Sequence, residues 1–146
     1  MEKNGKKILI IEDDIDLVEA NRVVLEANGF RVKAAYSPGD GIEQMKREAP
    51  DLVILDVLFG RSRQSDGFQL ARQFRMDGEL AGIPILMMTS INREYPGFSF
   101  SANDGEFLPV DAFMDKPVQP DVLIRKVKEL LGRGPSKWTE WSANKE

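Results

Sequence analysis

The chain has 146 residues, of which 42% are hydrophobic and 30% charged, and its formal net charge is -4 at pH 7. This length fits one compact domain with a proper core, and the mild acidity offers no clustered basic surface for nucleic acid or an anionic membrane. The absence of cysteine and histidine excludes disulfides, thiolate metal sites, the usual zinc ligand and a histidine general base.

Short apolar runs alternate with amphipathic helical patterns along the chain. The runs predict strands over residues 7–12, 30–35, 52–56, 84–88 and 112–114. The helices are predicted from Asp14 to Gly29, from Ser37 to Pro50, over residues 66–76, and from Pro120 to Gly132. Strands that alternate with helices indicate an α/β fold with a parallel sheet, and the strand 52–56 is apolar enough to lie in its centre.

Two segments depart from this rhythm. Residues 91–111 contain Pro96, Gly97, Gly105 and Pro109 where a further helix is expected, so we predict a mobile loop or an irregular docking surface there. Residues 133–146 form a short tail after a domain over residues 1–132, and we expect it to be too short for an output domain. The two tryptophans of the tail either pack on the domain as a final turn or anchor a partner. No apolar run approaches the ~18–20 residues that cross a bilayer, so we expect a soluble, cytoplasmic protein without membrane contact.

Polar side chains follow four of the predicted strands, where each strand ends. They are Glu12-Asp13-Asp14, Asp56, Thr89-Ser90 and Lys116. Taken alone, each is more typical of a cap, a turn or a surface charge. Ligands of open parallel sheets gather at the carboxyl ends of the strands, however, so their joint occurrence there predicts a functional site.

The residue types at this predicted site favour phosphoryl transfer. Clustered carboxylates repel one another unless a cation lies among them, and oxygen ligands without histidine or cysteine suit Mg²⁺. A carboxylate such as Asp56 can act as a nucleophile toward phosphorus, while a lysine, a hydroxyl and a metal neutralise the transferring group.

Four segments resemble the receiver domains of two-component response regulators: KILIIEDDIDLV, DLVILDV, PILMMTS and DAFMDKPVQPDVLIRKVKELL. The likeness runs from about residue 7 to residue 131. It implies a flavodoxin-like, doubly wound, five-stranded parallel sheet in the order 2-1-3-4-5. It also implies a phosphorylation-dependent signalling switch that is not an enzyme, with Mg²⁺ as cofactor and a sensor histidine kinase or phosphotransfer protein as donor. A homodimer is compatible with the family, and nucleic-acid binding is not expected.

The resemblance assigns a role to each matching position. Asp56 is the phosphoacceptor, Asp13 binds Mg²⁺ directly, and Glu12 assists through water. The backbone carbonyl of Leu58 completes the protein ligands. Thr89 hydrogen-bonds the phosphoryl group, Lys116 pairs with it, and Phe113 occupies the aromatic switch position.

The loop between Asp56 and Gly67 departs from the family pattern. It is longer than usual, and it carries Arg61 and Arg63, which are either solvated or recruit a phosphorylated donor. Leu58 and Ile91, at positions that tune self-dephosphorylation in the family, are apolar. We therefore expect a long-lived aspartyl phosphate.

Three other functions are compatible with parts of this pattern. A receiver-fold interaction module could signal without phosphorylation, although the full set of polar positions disfavours it. A haloacid-dehalogenase-like phosphatase also uses a strand-end aspartate, but it needs a second acid two residues later, where this chain has Leu58. A flavin-binding protein of the same fold would need a phosphate-binding loop after the first strand, where this chain has acids.

Overall fold

A computed structural model describes residues 5–57, 66–89 and 110–133. The strands are β1 (Lys7–Ile11), β2 (Arg31–Ala35), β3 (Leu52–Asp56), β4 (Ile85–Thr89) and β5 (Ala112–Asp115). The helices are α1 (Ile15–Ala27), α2 (Pro38–Glu48), α3 (Asp66–Met76) and α4 (Pro120–Gly132). None of the helices described is long and apolar enough to cross a membrane.

The strands form one five-stranded parallel sheet in the order β2-β1-β3-β4-β5. This confirms the predicted α/β class and strand order. β3 lies in the centre and all of its residues are buried, as its continuous apolar run predicted. Because β1 and β4 flank β3 on either side, the carboxyl ends of these three strands are neighbours at one edge of the sheet.

Successive residues of the strands contribute to two separate cores, because side chains alternate across a sheet. On one face, Leu9, Val53 and Met87 pack with residues of α2 and α3. On the other face, Ile10 and Ile54 pack with residues of α1 and α4. The sheet is therefore covered on both faces, which fixes the register of each strand.

Local signals set the helix ends. Asp14 caps α1 by accepting a hydrogen bond from the backbone of Leu17 at 3.1 Å, as predicted. Gly29 follows α1 with a φ of 92°, a conformation that favours glycine. Ser37 caps α2 and Pro38 opens it, again as predicted. β4 begins and ends one residue later than predicted, so Thr89 is the last residue of the strand.

A buried ion pair joins α3 to the opposite edge of the sheet from the carboxylates. Arg75 is 1% exposed, and its guanidinium lies 2.6 Å from the Asp111 carboxylate. The same guanidinium donates to the carbonyls of Ala81 and Ile83 at 2.8 and 2.9 Å. The Asp111 carboxylate also accepts from the backbone N–H of Ile85 at 2.8 Å. One side chain therefore joins the last turn of α3, the turn after it and the starts of β4 and β5.

Several predictions fall on residues outside the described ranges. They concern the loop from Leu58 to Ser65, the tail from Gly134 to Glu146, and the segment from Ile91 to Pro109, where a mobile loop or an irregular docking surface is predicted and the further helix is expected to be irregular or missing.

Arg75→Met is expected to lower the free energy of unfolding by about 3–5 kcal/mol, because it leaves the Asp111 carboxylate buried without its guanidinium. Urea unfolding followed by circular dichroism measures the change. The control is Arg72→Met on the same helix, whose exposed side chain should contribute less than about 0.5 kcal/mol. Equal effects of the two substitutions would contradict this assignment.

Candidate functional site

Glu12 leaves β1 with its carboxylate turned inward. Its backbone N–H donates to the carbonyl of Ala35 at 2.9 Å, which extends the parallel pairing with β2 by one residue. One carboxylate oxygen accepts from the backbone N–H of Asp14 at 3.1 Å. Only 5% of Glu12 is exposed, whereas the neighbouring Asp13 faces solvent. The acidic run is therefore divided between a buried carboxylate, an exposed carboxylate and the helix cap at Asp14.

Asp56 is the last residue of the central strand and is 4% exposed. It pairs in register with Met88 of β4, and the next residue, Val57, donates to the Met88 carbonyl at 3.3 Å. The carboxylate is thus held on the most constrained strand of the sheet. Rigid backbone support of this kind is what a positioned nucleophile needs.

Lys116 connects the two buried carboxylates. Its ammonium lies 2.8 Å from Glu12 Oε1 and 3.0 Å from Asp56 Oδ1. Its backbone N–H donates to the Thr89 carbonyl at 2.7 Å, and the peptide bond to Pro117 is cis. The lysine therefore follows β5 directly and reaches across the end of β4 to the ends of β3 and β1.

Burial and mutual repulsion raise the carboxylate pKa values. Burial, followed by the charge of Asp56, raises the pKa of Glu12 from 4.5 to about 7. Burial also raises the pKa of Asp56, against the opposing effect of Lys116. Burial by itself lowers the pKa of Lys116, but the charges of Asp56 and Glu12 outweigh it and the net shift is upward. The cluster thus holds a firmly protonated ammonium between two carboxylates that are reluctant to ionise together.

The carboxylates also fit a divalent cation. Glu12, Asp13 and Asp56 each offer one oxygen, and these three oxygens lie within 4.8 Å of one another. The donor set is oxygen only, two of the carboxylates are buried, and one is open to solvent. Mg²⁺ prefers one or two carboxylates together with retained waters, so this acidic cluster suits it.

Thr89 and Phe113 lie on one face of the sheet, on the neighbouring strands β4 and β5. Thr89 is 1% exposed and pairs in register with Asp115, while Phe113 pairs with Met87. Since register partners in a parallel sheet point to the same face, Thr89 and Phe113 share a face two positions apart. Phe113 is half-buried and packs against the core under α2 and α3.

The structure therefore brings together Glu12, Asp13, Asp56 and Lys116, and it joins the backbone of Thr89 to that of Lys116. Leu58, the expected carbonyl ligand, lies outside the described residues, as do Arg61 and Arg63. The roles of all these residues in phosphoryl transfer stay predictions. The sequence analysis missed the ion pair of Arg75 with Asp111, since nothing in either local pattern marks a pair 36 residues apart.

Comparison with known proteins places this geometry in a family. Residues 8–128 match the response regulator receiver domain. The chain is 32% identical over 133 residues to the transcriptional regulatory protein GltR of Pseudomonas aeruginosa, covering 91% of this chain and 52% of GltR. It is 28% identical over 128 residues to protein PilH of the same species, covering 86% of this chain and 97% of PilH. The chain thus spans about half the length of GltR and of similar transcriptional regulators, and nearly all of PilH.

Solved structures agree with this family. A two-component response regulator from Clostridium difficile superimposes with a TM-score of 0.72 at 26% identity, covering 88% of this chain and 97% of that chain. A CheY-like receiver domain protein from Methanospirillum hungatei gives a TM-score of 0.71 at 25% identity, covering 89% and 96%.

The pKa of Glu12 has a consequence for the stability of the metal-free protein. Between pH 4.5 and about 7 the folded protein keeps a proton on Glu12 that the unfolded chain has released. The free energy of unfolding is therefore expected to fall as pH rises through this range, by about 1–3 kcal/mol. Urea unfolding in EDTA at pH 5 and pH 8 measures it.

Glu12→Gln should remove most of that pH dependence, whereas Glu19→Gln, on the exposed side of α1, should leave it in place. A Glu12→Gln protein with an unchanged slope between pH 5 and pH 8 would contradict the assignment.

Lys116→Met leaves two buried carboxylates facing each other without the ammonium. At pH 8 in EDTA we expect a loss of about 3–5 kcal/mol in the free energy of unfolding, with a smaller loss at pH 5, where Glu12, whose pKa is raised to about 7, carries a proton. Lys126→Met is the control, because Lys126 forms an exposed surface pair with Glu129, and such pairs contribute little to stability. A Lys116→Met protein destabilised equally at both pH values would count against the account.

Proposed function

Because the chain belongs to the response regulator receiver family, we propose that it is a phosphorylation-dependent switch that accepts a phosphoryl group on Asp56. Receiver domains are signalling modules of two-component systems and not enzymes. The observation that carries the proposal is the contact of one ammonium with two buried carboxylates at adjacent strand ends, with a third carboxylate beside them.

Asp56 is the nucleophile in this proposal. One of its carboxylate oxygens attacks the phosphorus of a phosphohistidine, an O–P bond forms, and the P–N bond breaks. The imidazole leaves with the electron pair and takes a proton from water. Because burial raises the pKa of Asp56, and a protonated carboxyl is a poor nucleophile, positive charge near it is needed to keep it ionised.

Two positively charged groups would keep Asp56 ionised. Lys116 supplies one, 3.0 Å from Asp56 Oδ1. Mg²⁺, held by Glu12, Asp13 and Asp56 with the carbonyl of Leu58, would neutralise charge on the transferring phosphoryl group. Asp13 faces solvent, so the side of the cluster that a donor approaches is the side with the exposed carboxylate.

Phosphorylation adds roughly -1.5 to -2 charges at this edge of the sheet. Lys116 already contacts Asp56, and Thr89 ends the neighbouring strand β4, so in this proposal both respond to the added oxygens. A shift of Thr89 would free or fill space beside Phe113 on the same face, which is a two-state element of the kind that a signal requires.

The proposed phosphodonor is a sensor histidine kinase or a phosphotransfer protein, since receiver domains interact with histidine kinases. The proposed domain covers residues 1–132, with 133–146 as a tail, in a cytoplasmic protein that signals through protein contacts. A receiver-fold module that works without phosphorylation is the weaker candidate. It would have no need of Lys116 between two carboxylates whose burial costs stability.

Incubation with acetyl phosphate and Mg²⁺ is expected to add the mass of one phosphate to the intact protein. Asp56→Asn should abolish the gain, because an amide cannot form the acyl phosphate, and EDTA should suppress it. Intact-protein mass spectrometry measures the change, with Asp51→Asn as the control at the opposite end of β3. A wild-type protein without the added mass, or an Asp56→Asn protein that gains it, would contradict the proposal.

A further inference from the structure

The first turn of α3 touches the backbone that carries Asp56. The backbone N–H of Gly67, the second residue of α3, donates to the carbonyl of Val57 at 2.9 Å. A Cβ atom at Gly67 would lie 2.1 Å from the backbone oxygen of Asp56 and 2.7 Å from the Cα of Val57. Both distances are far below van der Waals contact, and both neighbours are backbone atoms. A side chain at Gly67 therefore cannot be accommodated without moving the chain that holds the acceptor.

Conformational freedom does not account for this glycine. In the described residues, Gly29 is the glycine with a positive φ, and Gly67 is the second residue of a helix, a position that other residues could occupy equally well. What Gly67 provides is space for a close approach between helix and strand.

Neither the strand nor the helix can yield easily at this contact. β3 is hydrogen-bonded on both sides, to β1 and to β4. α3 is anchored in the core by Leu70, Ala71 and Phe74, and at its far end by the buried Arg75. A displacement would therefore act on the backbone of Asp56 and Val57, which a side chain at Gly67 would meet.

The backbone at this contact belongs to the proposed acceptor itself. The Asp56 carboxylate lies 3.0 Å from the Lys116 ammonium, and one of its oxygens lies within 4.8 Å of oxygens of Glu12 and Asp13. Mg²⁺ demands near-ideal octahedral geometry, and a misplacement of about 1 Å can lower a rate about 100-fold.

We propose that Gly67 is a positioning residue of the phosphoacceptor site. By lacking a side chain, it lets the first turn of α3 fix the direction in which the chain leaves Asp56. The inference rests on the proposed function and deepens it. It adds a residue that touches neither the metal nor the phosphoryl group.

Gly67→Ala tests this, with Gly39→Ala as the matched control. Gly39 is the second residue of α2, and a Cβ there would meet nothing within 4 Å. Both variants are checked for folding by circular dichroism and then assayed for Mg²⁺ affinity by calorimetry and for phosphorylation by acetyl phosphate. Gly67→Ala is expected to lower the Mg²⁺ affinity or the phosphorylation rate by about 10- to 100-fold, while Gly39→Ala matches the wild type.

A folded Gly67→Ala protein that binds Mg²⁺ and takes up phosphate as Gly39→Ala does would overturn the inference and leave the proposed function intact. A wild-type protein that takes up no phosphate would contradict both the proposed function and the inference.

If Gly67→Ala does not fold, hydrogen exchange in the wild type decides. The exchange rate of the Gly67 N–H is expected to fall about tenfold once Mg²⁺ and beryllofluoride are added. The occupied site fixes the backbone after Asp56, and the Gly67 N–H is hydrogen-bonded to the Val57 carbonyl in that backbone. The Gly41 N–H, which donates to the Ser37 carbonyl at 2.9 Å within the start of α2, should be unaffected. Unchanged exchange at Gly67 would overturn the inference.

Discussion

Two carboxylates buried side by side are the constraint on which the rest of this site depends. Glu12 and Asp56 end adjacent strands, and their charges, taken from water, repel each other. Lys116 resolves this in the structure by contacting both. In the proposed function this unfavourable local arrangement is useful, because a cluster with surplus negative charge would attract a divalent cation and would respond strongly to an added phosphoryl group.

The sheet topology makes this cluster from groups far apart in sequence. The strand order puts β1 beside β3, β3 beside β4 and β4 beside β5. Lys116, 104 residues after Glu12, needs only to cross two strand ends to reach it. The buried pair of Arg75 with Asp111 holds the opposite ends of β4 and β5. The strands β4 and β5 are thus held at their amino-terminal ends by this pair and at their carboxyl ends by the contacts of Lys116.

Much of this could be predicted from sequence, because the determining signals are local. The continuous apolar run of β3 predicted a central strand, and the caps at Asp14 and Ser37 predicted helix starts. The convergence of strand-end residues followed from the parallel sheet. The importance of Arg75 and Gly67 did not, because a partner 36 residues away and a close backbone approach leave no periodic trace. The pKa of Glu12 likewise depends on burial that only the folded structure gives.

The choice of Asp56 among three clustered carboxylates is the central claim, and locating the phosphoryl group tests it most directly. Protein phosphorylated by acetyl phosphate is treated with borohydride, which reduces an acyl phosphate to an alcohol, and is then digested and sequenced by mass spectrometry. The account predicts reduction at Asp56, with Glu12 and Asp13 unmodified. Reduction at Asp13 or Glu12, or at no carboxylate of the cluster, would contradict it.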